Sequence, residues 1–299
     1  MAEPILAEGA AVALFERRRA ELLRTKRTQL ALFGMLFAAA VLASALVGDF
    51  YPSKLAAGLP RSGEYFYRIL PTLTVDHLLD GPKVKGSIAY WFYRVDSWTL
   101  LLLETAQMAF LATLMGGTGA FLLSFFAAQN TAPGPIVRFV SRRLLEFFRT
   151  VPELVYALIL VWAFGIGPIA GIFALTIHCT GALGKLFAEV IENVEDNPLV
   201  GIRALGGNWL QIMRFGVVPQ VLPSFASYLL LRFEINVRAA SVIGFVGAGG
   251  IGQELYMVIS QNYYEEISAI VLLIVFGVAV IDLGSERIRH TFIHGERPA

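Results

Sequence analysis

Three charged residues interrupt an otherwise apolar stretch: Arg232, Glu234 and Arg238 in RFEINVR. A charge at mid-bilayer costs about 3 kcal/mol or more, so such groups face a bundle interior or a watery cavity. On a helix Glu234 and Arg238 are four apart, in the favourable order for an ion pair on one face. Arg232 sits about 200° around the helix from Glu234 and has no local partner. Two readings follow. Either Arg232, with Arg238, lines a route for an anion, or Arg232 pairs with a carboxylate on another span, Glu104 or Glu189. Just downstream, Gly247, Gly249, Gly250 and Gly252 fit G-x-G-x-x-G. A dinucleotide site needs a strand before that pattern, a helix after it and an acidic residue about 20 positions on. Here the pattern lies between apolar segments, so the glycines read as tight backbone packing or a bend.

Other chemistries lack their residues. The Gly184-Lys185 pair is followed by Leu186, and Cys179 stands where a phosphate loop needs glycine. No HExxH or GxSxG occurs. The single cysteine excludes an internal disulfide and reads as a small buried apolar residue. His178 is expected to pack inside the bundle. The chain is not read as an enzyme, and no metal site is expected.

The elements that must position these groups are membrane helices. Of 299 residues, 56% are hydrophobic and 16% charged, with a mean hydropathy of +0.64. A soluble domain carries about 25% charged residues. The composition is that of an all-α polytopic membrane protein, and the net charge of +1 offers nothing to nucleic acid. Residues 1–28 form a basic tail with Arg17, Arg18, Arg19, Arg24, Lys26 and Arg27, expected to be amphipathic and held at the bilayer surface. Residues 29–48 form a first span, about the length a ~30 Å core requires. Ala43-Ser44-Ala45 resembles a cleavage signal, but the long basic head favours a retained helix. Residues 49–98 are a polar, aromatic-rich extracytoplasmic segment. Interfacial anchoring explains its Tyr and Trp residues, and a surface for an extracytoplasmic partner is the sharper reading. Residues 99–290 form the core, with spans expected at 99–127, 144–164, 169–190, 219–245 and 266–284. Residues 291–299 are a second cytoplasmic tail. Lys and Arg concentrate in the tails, around Arg138, Arg142 and Arg143, and at Arg203 and Arg214. Segments 165–169 and 244–265 hold none. That bias puts both termini in the cytoplasm.

One polar island, 193–216, separates the spans. Asn197 reads as a helix cap with Pro198 at the first helical position. Gly206-Gly207 is an elbow, and Asn208 with Gln211 forms a capping-box variant. The second helix is expected to end near Gly216 and Pro219. An apolar face of Leu199, Ile202, Leu205, Trp209 and Ile212 offers a partner something to grip.

Gly206 and Pro219 keep the spacing of the EAA loop of ABC-importer permeases, although Val200-Gly201-Ile202 replaces its Glu-Ala-Ala. With PQVLP (219–223), RFEINVRAASVIGFVGAGGIG (232–252) and TIHCTGALGKL (176–186), residues 99–290 resemble the phosphonate-type permeases, relatives of the methionine-type. The resemblance implies a type I importer fold of five core helices plus an N-terminal one, six spans in all. It implies a homodimeric pore in the bacterial inner membrane, a cytoplasmic ABC ATPase dimer carrying ATP and Mg, and an extracytoplasmic binding protein. Pro198, Gly201, Ile202, Arg203, Ala204, Leu205, Gly206 and Pro219 would couple to the ATPase. Arg232, Glu234, Arg238, Gly247, Gly249, Gly250 and Gly252 would line the pathway. The cargo would be phosphonate, phosphite or phosphate, moved by alternating access. The rival from another class is an ion-coupled secondary transporter of small anions, which would show inverted repeats.

Overall fold

The computed structural model describes residues 3–294, with side chains for 12–289, and among these there is no strand. The chain divides into a unit of residues 1–67 and a unit of residues 68–299. In the first, α1 (Glu3–Val47) is one unbroken helix, followed by α2 (Pro52–Ile69), which runs just past the boundary. The basic stretch Arg17–Arg27 continues the apolar helix without a break at residue 28. The described portion, Val12–Val47, has 36 residues and includes the basic stretch. At ~1.5 Å per residue that is roughly 54 Å, well beyond a ~30 Å core, so part of α1 extends past the bilayer.

The second unit holds a one-turn α3 (Ile88–Trp91) and then the bundle: α4 (Val95–Ala127), α5 (Pro135–Thr150), α6 (Glu153–Phe164) and α7 (Pro168–Glu192). After these come α8 (Asp196–Ala204), α9 (Trp209–Gln211), α10 (Val218–Ile243), α11 (Gly250–Ser260) and α12 (Tyr264–His294). Small residues set its spacing. A Cβ on Gly116 would lie 2.7 Å from Cys179 Cβ, and one on Gly181 2.5 Å from the Arg149 nitrogen. Only glycine lets α4 and α5 come this close to α7. Cys179 is fully buried, as expected.

Two expectations change. Residues 144–164 are not one span. Val151 is extended (φ −78°, ψ 124°) before Pro152, and the chain breaks there into α5 and α6. Proline removes a helical N–H and disfavours the helical conformation of the residue before it. The α5 helix turns Ser141 and Leu145 inward and leaves Ile136, Phe139 and Phe147 exposed. By length and apolarity, four described helices suffice to cross a membrane, and the pair 209–246 and 250–260, bent by 44°, makes a fifth. The six expected crossings are therefore not all reproduced by helix length, because α6 has 12 residues.

The second change concerns the island. Its second helix does not end near Gly216 and Pro219. The α9 turn passes through a π-helical segment, Ile212–Val217, directly into α10. Pro219 cannot donate a hydrogen bond to the preceding turn, and a wide turn there accommodates that loss. The island is one short helix packed against the first turns of a span.

Candidate functional site

At one end of the bundle α8 stands apart between two designed stops. Its cap is Glu195, in extended conformation, rather than Asn197. Asp196 lies in the first turn, where a negative charge suits the helix dipole. Gln220 ties this start to α10: the Glu195 N–H donates to Gln220 Oε1 (3.0 Å), and Gln220 Nε2 donates to the Gly216 carbonyl (2.7 Å). The helix ends in a full Schellman turn. Gly206 N–H donates to the Arg203 carbonyl and Gly207 N–H to the Ile202 carbonyl, both at 3.0 Å, with Gly206 at φ +79°. The expected capping box follows: Asn208 Oδ1 accepts from Gln211 N–H (2.9 Å), and Gln211 Oε1 accepts from Asn208 N–H (2.8 Å).

The apolar face expected to meet a partner mostly turns inward. Leu199 and Ile212 are buried, and Ile202 packs on the same core. Leu199 and Ile202 sit over Gly216, where a Cβ would lie 3.3 Å from each of their Cδ1 atoms. Trp209 stacks on Phe126 (5.6 Å), and its Nε1–H donates to the Thr131 carbonyl (2.7 Å). What remains outside is Leu205 of that face, 90% exposed, together with Val200, Gly201, Arg203, Ala204 and Gly206. Pro198, Leu210 and Phe215 extend that surface. Pro219 is exposed at the root of α10. The neighbouring ends of α4, α5 and α7 are clamped by Glu192, which accepts from Gln129 N–H (2.6 Å) and from Arg142.

Along α10, the pairing of a buried Glu234 with Arg238 that spacing suggests is replaced by pairing to α12, with Arg238 exposed. Arg289 Nη2 meets Glu234 Oε1 at 3.1 Å, and Arg238 Nη1 lies 3.7 Å from Asp282 Oδ2. Arg232 finds neither Glu104 nor Glu189, the carboxylates that one of its two readings offered. Its Nη2 lies 2.6 Å from His178 Nδ1 on α7, and Glu153 Oε2 of α6 lies 3.7 Å from the same nitrogen. His178 is thus inside the bundle, but as a partner of charge rather than as filler. A lone histidine in an apolar run was the available signal, since an imidazole there demands a polar neighbour. Beside it, the fully buried Asn236 donates from Nδ2 to Thr113 Oγ1 (2.8 Å).

At the other end of the bundle the four glycines form a junction. Gly247, Gly249 and Gly250 have φ of +86°, +84° and +71°, conformations open to glycine. The Gly167 N–H donates to the Gly247 carbonyl (2.9 Å), and Ile251 N–H to Thr105 Oγ1 (2.9 Å). A Cβ on Gly252 would lie 1.8 Å from the Ser241 carbonyl oxygen. Arg94 pairs with Glu254 at 2.9 Å on the rim. A cleft of about 680 Å³ opens nearby, lined by residues that include Tyr90, Trp91, Tyr93, Tyr264 and Glu266. Burial, and then the hydrogen bond to Glu266, push the Tyr93 phenol up from its usual range. These glycines bend and pack a helix pair, as expected, and the dinucleotide setting is absent among the described residues.

Known proteins resemble this chain along most of its length. The family model described as binding-protein-dependent transport system inner membrane component matches residues 120–292. The chain is 37% identical to a phosphite transport system permease protein of Stutzerimonas stutzeri, covering 88% of this chain and 90% of that one. It is 35% identical to a phosphate-import permease protein of Mycolicibacterium smegmatis, covering 86% of this chain and 45% of that longer one. Among solved structures, an inward-facing MetNI methionine ABC transporter aligns with a TM-score of 0.57 at 20% identity, covering 65% of this chain and 95% of that chain. That likeness concerns the fold, a type I ABC-importer permease architecture.

Proposed function

Because the chain belongs to the family of inner membrane components of binding-protein-dependent transport systems, we propose that it is the permease subunit of an ATP-driven importer for a phosphorus oxyanion. Phosphonate, phosphite and phosphate form the cargo class. The observation that carries this reading is the similarity to phosphite and phosphate permeases across more than four fifths of the chain. Two copies enclose the path, and an extracytoplasmic binding protein delivers the anion. A separate cytoplasmic ATPase pair holds ATP and Mg.

In this reading α8 faces the cytoplasm, on the side of Arg138, Arg142 and Arg143, with both termini. The ATPase grips the surface made by Pro198, Gly201, Arg203, Ala204, Leu205 and Gly206, with Leu205 as the projecting knob. Ile202 holds the helix to its own bundle over Gly216, and Pro219 marks where the held piece becomes a span. Because α8 is stopped at its end by the Schellman turn and stapled at its start to α10 by Gln220, a push on it moves α10 as a rigid body. At the far end, the Gly247–Gly252 bend closes the outer mouth and rearranges when α10 moves.

Uptake of labelled phosphite, phosphate and methylphosphonate in cells carrying the whole transporter tests the reading. Uptake should stop on ATP depletion and survive a protonophore while ATP is maintained. The reverse pattern would favour ion-coupled transport and overturn it.

A further inference from the structure

The structure assigns Arg232, His178 and the start of α6 to a mid-membrane station that holds a phosphoryl-type oxyanion during passage; the assignment rests on the permease reading above. The first observation is a matter of donors and acceptors. A guanidinium only donates, so the 2.6 Å contact from Arg232 Nη2 requires a lone pair on His178 Nδ1. His178 is therefore neutral, with its proton on Nε2. It follows that the 3.7 Å approach of Glu153 Oε2 to His178 Nδ1 brings two acceptors together and is not an ion pair. The histidine orients the guanidinium without balancing its charge, and Glu153 approaches the histidine rather than pairing directly with Arg232.

The second observation is the contrast along α10. Glu234 and Arg238 both meet opposite charges on α12. Among the described residues Arg232 has no carboxylate within ion-pair distance, and its Nε is buried without an acceptor there. A cation held in a membrane interior with a donor still free is matched by an anion that comes and goes. A tetrahedral oxyanion also fits a guanidinium bidentately.

The third observation is the broken helix. The α6 helix begins at Glu153 after the Pro152 break, without a side-chain cap. Its first N–H groups and its positive dipole end therefore lie at this depth. Helical rise places Glu153, His178 and Arg232 each roughly 15–17 Å from the glycine end of its helix, about half of a ~30 Å core. Arg149 adds a second positive charge near His178. Glu153 is the resident counter-charge, which the oxyanion displaces on arrival and which helps expel it afterwards. Arg232 is the binding residue, and His178 is a positioning residue.

The test uses the complete transporter with its ATPase and binding protein, and reads uptake of labelled phosphite and phosphate. Arg232→Gln should lower the maximal rate by about tenfold or more, since it removes charged hydrogen bonds. Arg232→Lys should fall between this variant and wild type. The double variant Arg232→Gln with Glu153→Gln separates binding from structure. If Arg232 serves only to balance Glu153, neutralising both restores uptake, and that result overturns the station. The station expects no rescue, with the complex isolated in wild-type yield. His178→Gln should lower the maximal rate less than Arg232→Gln does. Wild-type-like uptake by Arg232→Gln would also overturn the inference while leaving the permease reading intact. If the wild type moves none of the oxyanions, it is the permease reading that falls.

Discussion

The two ends of the bundle both depend on glycines in the left-handed region, and they use them in opposite ways. At the α8 end, Gly206 (φ +79°) has nothing within 4 Å of where a Cβ would stand. Its glycine is needed for chain direction alone, and the surface beside it is left clear. At the other end, Gly250 (φ +71°) would push a Cβ to 2.4 Å from Thr105 Oγ1, and Gly252 would meet the Ser241 carbonyl. There the missing side chain is what allows three helices to meet. At Gly206 the open glycine sets chain direction beside a clear surface, whereas at Gly250 and Gly252 the crowded glycine permits a close joint.

That contrast can be broken most forcefully at Gly252. Gly252→Ala forces backbone apart and should cost several kcal/mol, enough to remove folded protein from the membrane fraction. Normal levels in a detergent-solubilised preparation would show that the joint is looser than it looks. At the other end, Ala204→Asp should spare folding, since Ala204 is exposed. It should nevertheless abolish uptake and loosen the ATPase, as read by co-purification. A third change separates the support of α8 from its surface. Asn208→Ala removes the capping box and should cost about 1 kcal/mol in thermal stability, with uptake reduced but present. An effect on stability of the same small size is expected at Gly206→Ala. With open space around it, only the left-handed conformation is penalised, roughly 1 kcal/mol, measurable as a small shift in melting temperature. A loss as large as that of Gly252→Ala would erase the distinction between the two ends.

How much of this was legible depended on the range of the interaction. The Asn208–Gln211 box, the Gly206 stop and the Gly165–Pro168 turn between α6 and α7 all follow from neighbours within a few residues, and they stand where the sequence puts them. Pro152 was equally local, and it splits an apolar run that hydropathy alone joins. The partners of Arg232, Glu234 and Arg238 were not legible. Spacing offered Glu234 and Arg238 to each other, yet α12 lies close enough to take both. The apolar face of α8 misled for a related reason. A hydrophobic stripe shows that something will cover it, and here its own chain does, through Gly216 and Trp209.

By itself the sequence determined the class of molecule, the positions of most helices, the Gly206 stop with the capping box after it, and the glycine bend. Each of these follows from hydropathy over ~20 residues or from a backbone constraint on one or two. Only the tertiary structure decided which surface of α8 stays bare, and that Arg232 meets His178 beside a broken helix. Those outcomes depend on contacts between helices far apart in the chain, where small differences in packing and charge select one partner from several that sequence spacing permits equally.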